Sequence, residues 1–289
     1  MTNRLSVEDV SFSYGRKEVL DRISFTAENG IVALLGNNGA GKTTLMNVLT
    51  GLKRPQAGRM TLNGSDVLGA NTYPIEQVGY LPQHFDVYPN ITGYDFLSFV
   101  YDLKKGTRAD KKKQIDELVE RFHLQSVIHK NVRHYSGGFK RRLGIAQAVL
   151  GYPPLIIIDE PTVGLDPEQR IEFRKHLSDM SRESITLIST HIIEDVELFS
   201  DQIIVLKDRS IVFDGSVDEI IGMSRSNIHV VETTRERLPE LAERVTVIEE
   251  KRIDHDTIRV KYIGGEAVEA SEFDKEITLE NAYVYLQKR

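Results

Sequence analysis

The residues Gly36-Asn37-Asn38-Gly39-Ala40-Gly41-Lys42-Thr43-Thr44 carry the most readable chemistry in this chain. The spacing Gly-x-x-x-x-Gly-Lys-Thr is that of a phosphate loop. Its glycines let backbone N–H groups turn inward around a row of phosphates. Lys42 can reach β- and γ-phosphate oxygens, and Thr43 can offer its hydroxyl to Mg²⁺. Asp159 and Glu160 follow the aliphatic run Leu155-Ile156-Ile157-Ile158. Asp159 is placed to meet the same metal, directly or through water, and Glu160 to accept a proton from an attacking water. His191 stands just past a second aliphatic run, Ile185–Ser189. Gln83 follows Pro82 and is either a further oxygen ligand for the metal or an ordinary loop residue. The chemistry these types describe is phosphoryl transfer from a nucleotide to water.

Such groups need elements to aim them. Ile31-Val32-Ala33-Leu34-Leu35 reads as a buried strand entering the phosphate loop. Lys42–Leu52 reads as the helix leaving it, with Leu45, Val48, Leu49 and Leu52 at helical spacing and Gly51 as a stop. The helix start adds its own positive end toward the phosphates. The runs ending at Asp159 and Ser189 read as neighbouring strands of an α/β sheet, whose ligands bind beyond the carboxyl ends. Leu5–Val10, Val19–Leu20 and Ile23–Phe25 predict an antiparallel β layer, and residues 55–66 predict a turn, a strand and a turn. Tyr14 in that layer can stack on a nucleotide base or serve as half-buried packing. Val78–Leu81 predicts a strand stopped by Pro82. From 91 to 134 the spacing turns helical: Thr92 is a candidate cap, and Ile115, Leu118, Val119 and Phe122 share one face. The lysines at 104–105 and 111–113 read as a solvated face. His123, His129 and His134 have no helical ligand spacing, so no metal site is expected among them. Ser136-Gly137-Gly138 opens a further helix and is either a second anion-receptive helix start or simply its cap.

Composition narrows the class. The chain has 289 residues, a net charge of −6, 40% hydrophobic and 28% charged residues, and no cysteine. That is a globular balance with no generic pull toward nucleic acid, and it excludes disulfides and thiolate sites. No opening signal peptide is expected after Met1, and no apolar run approaches the ~18–20 residues of a membrane span. A change of pattern near 223–227 marks an expected boundary. It separates residues 1–222, with a helical subdomain at about 84–150, from a small α+β appendage at 223–289.

Taken together, these motifs resemble the ATP-binding subunit of an ABC transporter, over about residues 1–222. Tyr14 resembles the base-stacking aromatic of that family, Gly36–Thr44 its Walker A motif and Gln83 its Q-loop residue. Tyr135-Ser136-Gly137-Gly138-Phe139 resembles its signature, with Tyr135 and Phe139 where leucine and glutamine are usual. Leu155–Asp159 with Glu160 resembles Walker B, Asp166 falls in the D-loop, and His191 matches the switch histidine. The resemblance implies a P-loop NTPase core of the ABC ATPase type, with an antiparallel β subdomain and a helical subdomain. It implies ATP and Mg²⁺ held by Thr43, Gln83 and Asp159, and catalysis by Lys42, Glu160 and His191. It also implies a second ATP-binding subunit, identical or not, whose Ser136, Gly137 and Gly138 would meet this subunit's nucleotide. A separate membrane-spanning permease would hold the assembly on the cytoplasmic face of a membrane. The stretches 135–150 and 162–167, with the end of the tail, resemble bacterial drug, bacteriocin or antibiotic-peptide exporters. A soluble ABC ATPase acting on nucleic acid or ribosomes is the alternative. About 115 residues without sustained heptads separate Thr44 from Asp159, and there is a single cassette, which speaks against it.

Overall fold

The computed structural model describes residues 2–69, 73–104, 106–161, 167–264, 272–273 and 277–289. The chain divides into two units, 1–191 with 199–214, and 192–198 with 215–289.

The first unit opens with β1 (Arg4–Tyr14) and β2 (Lys17–Glu28), paired antiparallel. Their apolar residues alternate toward the core but skip a beat, running Leu5, Val7, then Val10, Phe12 on β1. The extra residue is absorbed by a bulge that puts Asp9 in the left-handed region at φ 49°. Next come β3 (Gly30–Gly36) and α1 (Lys42–Leu49). β4 (Ala57–Leu62) and β5 (Ser65–Asp66) complete a four-stranded sheet of order β2-β1-β4-β5. After β6 (Val78–Leu81) follow α2 (Gly93–Leu103), α3 (Arg108–Arg121) and α4 (Gly137–Val149). Then come β7 (Leu155–Asp159), α5 (Pro167–Ser181) and β8 (Ile185–Ser189). The chain then passes through α6 (Ile193–Phe199), which but for its last residue belongs to the second unit, and returns to the first with β9 (Gln202–Lys207) and β10 (Ser210–Gly215).

The second sheet has the order β10-β9-β3-β8-β7-β6. β9, β3, β8, β7 and β6 run parallel. β3, β7 and β8 are buried along their whole length, which is why they read as unbroken aliphatic runs. Their carboxyl ends share one edge: Asp159 pairs with Ser189 on β8, and Leu34 pairs with the same residue from the other side. One apolar core joins β1, β2, α1 and the parallel sheet through Leu5, Phe25, Met46, Leu34, Ile157 and Ile204.

α2 starts where expected, with the Thr92 side chain accepting a hydrogen bond from Asp95 N at 3.1 Å. Ile115, Leu118, Val119 and Phe122 are all buried on one face of α3 and its end. Two expectations fail. Leu52 lies beyond α1 and is 62% exposed, because Gly51 turns the chain first, with φ 73°. Lys104 does not belong to a solvated face: its ammonium donates to Leu150 O at 2.7 Å, and burial pushes its pKa down to about 8. Lys112 and Lys113 do face solvent.

In the second unit, α7 (Val217–Ser224) and β11 (Ile228–Thr234) are followed by α8 (Leu238–Arg244). β12 (Thr246–Arg252), β13 (Thr257–Ile263), β14 (Glu272–Phe273) and α9 (Leu279–Lys288) complete it. The strands form an antiparallel sheet of order β12-β13-β11-β14 over a small core of Val231, Leu241, Val245, Ile258, Val260 and Tyr262. Buried Lys261 donates to Asn281 Oδ1 at 2.9 Å and lies 3.3 Å from Glu249 Oε2, tying α9 to the sheet. The expected 222/223 boundary falls inside α7. That helix is continuous from a capping box at Ser216 and packs on α9, so the second unit begins at Gly215 and also takes Ile192–Leu198. α8 and β14 are short, and no periodicity foretells them.

Candidate active site

The phosphate loop is the turn between β3 and α1, and its glycines answer to steric demands. A Cβ on Gly36 (φ 158°) would stand 2.6 Å from Leu206 O. One on Gly41 (φ 109°) would stand 3.0 Å from Leu20 Cδ2 and 3.1 Å from Val19 O. The loop therefore closes tightly against β2 and β9 at these two glycines. Lys42 folds back into it: Nζ donates to Gly36 O at 2.6 Å and approaches Asn37 O at 3.4 Å. Burial lowers the Lys42 pKa, while the nearby Glu160 and Asp159 charges act in the opposite direction.

The carboxylates stand at the adjacent strand end. Thr43 Oγ1 donates to Asp159 Oδ2 at 3.0 Å. Ser189 Oγ donates to Asp159 Oδ1 in a short hydrogen bond and accepts from Glu160 N at 3.0 Å. One hydroxyl thus spans both acids, acting as donor and as acceptor. Glu160 adopts φ 49°, a left-handed conformation that costs a non-glycine residue about 1–3 kcal/mol. It turns the side chain away from the strand line and onto His191, whose Nδ1 lies 2.7 Å from Glu160 Oε2. Asp159 is 2% and Glu160 9% exposed. The donor set of Thr43 hydroxyl and Asp159 carboxylate is all oxygen, and it suits a hard divalent cation such as Mg²⁺.

These groups meet at an open cleft of about 450 Å³. Tyr14, Asn38, Gly39, Gly41, Lys42, Thr43, Thr44, Gln83 and Glu160 line it. Tyr14 is 48% exposed at the cleft and makes a T-shaped contact with Phe12, ring centroids 4.9 Å apart. Gln83 is exposed at the cleft. Ser136 caps α4, its Oγ accepting from Phe139 N at 3.4 Å. Among the described residues, Ser136, Gly137 and Gly138 are not part of the cleft lining. Tyr135, at the position where leucine is usual, is buried with its hydroxyl donating to Val127 O at 2.8 Å. Asp166, with the whole stretch 162–166, lies outside the described residues.

Three participants escaped the sequence reading. Arg141 on α4 donates to Pro161 O, Pro82 O, Asp159 O and Glu160 O at 2.9–3.4 Å, clamping the ends of β6 and β7. Burial lowers its pKa to about 10. In the run Lys140-Arg141-Arg142 nothing marks the middle residue as the one that gathers these carbonyls. Ser189 sat unremarked at its strand end. Arg209, in a tight β9–β10 turn whose two residues both have positive φ, pairs with Glu18 at 2.9 Å, and both line the cleft. His129 stacks on Tyr94 and His134 accepts from Arg133 Nε. Neither meets His123.

A parallel sheet, a Gly-x-x-x-x-Gly-Lys-Thr loop leading into a helix, and an aspartate on the neighbouring strand bonded to the loop threonine define a P-loop nucleoside triphosphatase. Comparison with known proteins narrows this. The ABC transporter family model matches residues 20–163. The chain is 36% identical over 235 residues to an ABC transporter ATP-binding protein of Bacillus subtilis (strain 168), covering 81% of this chain and 78% of that protein. It is 35% identical over 219 residues to the daunorubicin resistance ATP-binding protein of Streptomyces coeruleorubidus, covering 75% and 69%. Among solved structures, an ATP-binding subunit of an ABC transporter matches with TM-score 0.70 at 30% identity, over 76% of this chain and 92% of that one. The chain belongs to the ABC transporter ATP-binding proteins. It is an ATP-binding ATPase of that family.

Proposed function

We propose that this chain is the ATP-hydrolysing subunit of an ABC exporter, working in pairs beneath a separate membrane-spanning permease. The observation carrying the hydrolytic reading is that Lys42, Thr43 and Glu160 line one cleft, with Asp159 bonded to Thr43 and His191 to Glu160 behind them. In this reading the loop N–H groups and Lys42 hold the charge that grows on the γ-phosphoryl group. Bound Mg²⁺ would supply positive charge to offset it. Thr43 and Asp159 would hold the ion, with Gln83 as a further oxygen donor from the cleft wall. Glu160 takes the proton of the attacking water, and His191 holds the carboxylate in line. Tyr14 stacks on the base. Asp166 is assigned to the partner contact by resemblance alone.

Two features support pairing and a membrane partner. Ser136-Gly137-Gly138 opens an anion-receptive helix outside the chain's own cleft, which suits a phosphate bound by a second subunit. Among the described residues no helix is long and apolar enough to cross a membrane, and a separate permease is the partner this reading calls for. The exporter assignment draws on relatives named for daunorubicin resistance and Nod factor export. Residues 1–214 are the catalytic part and the tail an accessory domain.

The test is copurification of the tagged chain from detergent-solubilised membranes, with Mg-dependent ATPase assayed alongside. A polytopic membrane protein at near-stoichiometric yield supports the reading. Recovery only with ribosomes or nucleic acid refutes the transport assignment and leaves the ATPase intact.

A further inference from the structure

Away from the cleft, three side chains from two distant stretches of chain converge. Glu172 and His176 are four residues apart on α5 and so share one face. His123, just past the end of α3, comes to meet them. His123 Nε2 lies 3.4 Å from Glu172 Oε1, and His176 Nε2 lies 3.7 Å from the same oxygen. The three ligand atoms all fall within 4.8 Å of one another. A tetrahedral ion with bonds of about 2.0–2.1 Å would hold such atoms about 3.4 Å apart. The other oxygen of Glu172 is taken by Arg142 Nη2 at 2.7 Å, which fixes the carboxylate and leaves Oε1 turned to the histidines. His176 Nε2 is buried and has no hydrogen-bond partner among the described residues. A buried, unsatisfied ring nitrogen is a cost that a ligand would remove. Beside it lies a crevice of about 20 Å³ bounded by Phe122, Arg141, Arg142, Glu172, Phe173 and His176, room for one ion or water.

We infer that His123, Glu172 and His176 form a binding site for one zinc-class divalent transition-metal ion, linking the end of α3 to α5. Two imidazoles and one carboxylate suit Zn²⁺ and its neighbours rather than Mg²⁺. The guanidinium of Arg142 opposes a cation nearby, so binding is weaker than at a closed structural site. Arg142 lies on α4, the helix that Ser136 caps, so the ion would stiffen the support of that helix rather than take part in hydrolysis.

The experiment uses the whole chain without nucleotide. Zn²⁺ is titrated against a chelating dye, Co²⁺ is followed by its visible d–d absorption, and melting is recorded with and without Zn²⁺. One ion per chain, tetrahedral Co²⁺ bands and a Zn²⁺-dependent rise in Tm are expected. His123→Asn should weaken binding at least tenfold and abolish the bands. His123 is mostly exposed and has a left-handed φ of 51°, which asparagine also tolerates, so this variant should fold. His176→Gln should do the same. No binding, or binding unchanged in both variants and lost instead in His191→Ala, would overturn the site and leave a histidine–glutamate–arginine cluster only.

Discussion

His191 Nδ1 stands 2.7 Å from Glu160 Oε2, while the Glu160 N–H is held on Ser189 Oγ at 3.0 Å. The acid is fixed at both ends, by its backbone in a strained conformation and by its carboxylate. Strain kept in this way at a strand end serves to aim a group. Replacing Glu160 by glutamine keeps the shape and removes the base. The expected result is a fall in kcat of about 10²–10⁴ with ATP affinity retained. His191→Ala should act in the same direction. Single-turnover hydrolysis and nucleotide binding, measured together, decide it; loss of binding instead of turnover would place Glu160 in a structural role.

Arg141 ties four carbonyls at the ends of β6 and β7 with one planar group. Arg141→Met would leave buried acceptors unpaired, at a cost of about 3 kcal/mol or more. Lysine should not rescue it, since a single ammonium cannot meet a fan of acceptors. Urea unfolding of both variants is the check. An Arg141→Lys variant as stable as the parent would show that charge alone suffices.

Much of this was legible because each signal was local. The glycines of the phosphate loop, the unbroken aliphatic runs of β3, β7 and β8, and the Thr92 cap all act within a few residues. What stayed hidden depends on packing between distant segments. Arg141 and Arg142 look alike in sequence, yet one meets the carbonyls at the ends of β6 and β7 and the other meets Glu172. Lys104 sits in a basic run and still reaches Leu150 O. The spacing of His123 to His129 and His134 says nothing of its neighbours, which come from α5. The boundary at 222/223 followed a change of composition, whereas α7 belongs by contact with α9.

Tyr14 offers a half-exposed ring at the cleft, with Lys53 Nζ 5.7 Å from its centroid. Stacking on a base contributes about 0.5–1.5 kcal/mol, so Tyr14→Ala should weaken ATP binding about two- to tenfold. Tyr14→Phe should bind like the parent, because the ring and not the hydroxyl makes the contact. Equilibrium binding of a fluorescent ATP analogue tests both, and equal affinity in Tyr14→Ala would reduce Tyr14 to packing against Phe12.

Lys104 makes a prediction in pH. Its pKa is about 8 in the folded chain against 10.5 when unfolded, because burial disfavours the charge. Between those values the unfolded chain holds more protons, so the contribution of Lys104 to stability rises with pH across that window. Below about pH 8 the full penalty is present, on the order of 3 kcal/mol at most. Lys104→Met should therefore gain on the parent at pH 7 and lose that advantage near pH 10. Parallel denaturation curves at the two pH values provide the test, and a difference independent of pH would mean that the ammonium is solvated.

The cleft is lined by Lys42, Thr43, Gln83 and Glu160, while Ser136-Gly137-Gly138, the chain's second anion-receptive helix start, stands outside it. If a second copy supplies that helix start to the γ-phosphate, hydrolysis is a property of the pair. Specific ATPase activity of the isolated chain should then fall on dilution, and Ser136→Ala should lower turnover without weakening ATP binding to the single chain. A site complete within one chain behaves differently: its specific activity stays constant as the protein is diluted, and Ser136→Ala costs only the helix cap, about 1 kcal/mol of stability. Measuring rate against chain concentration for the parent and for Ser136→Ala separates the two, because loss of a cap lowers Tm without changing the order of the reaction in protein.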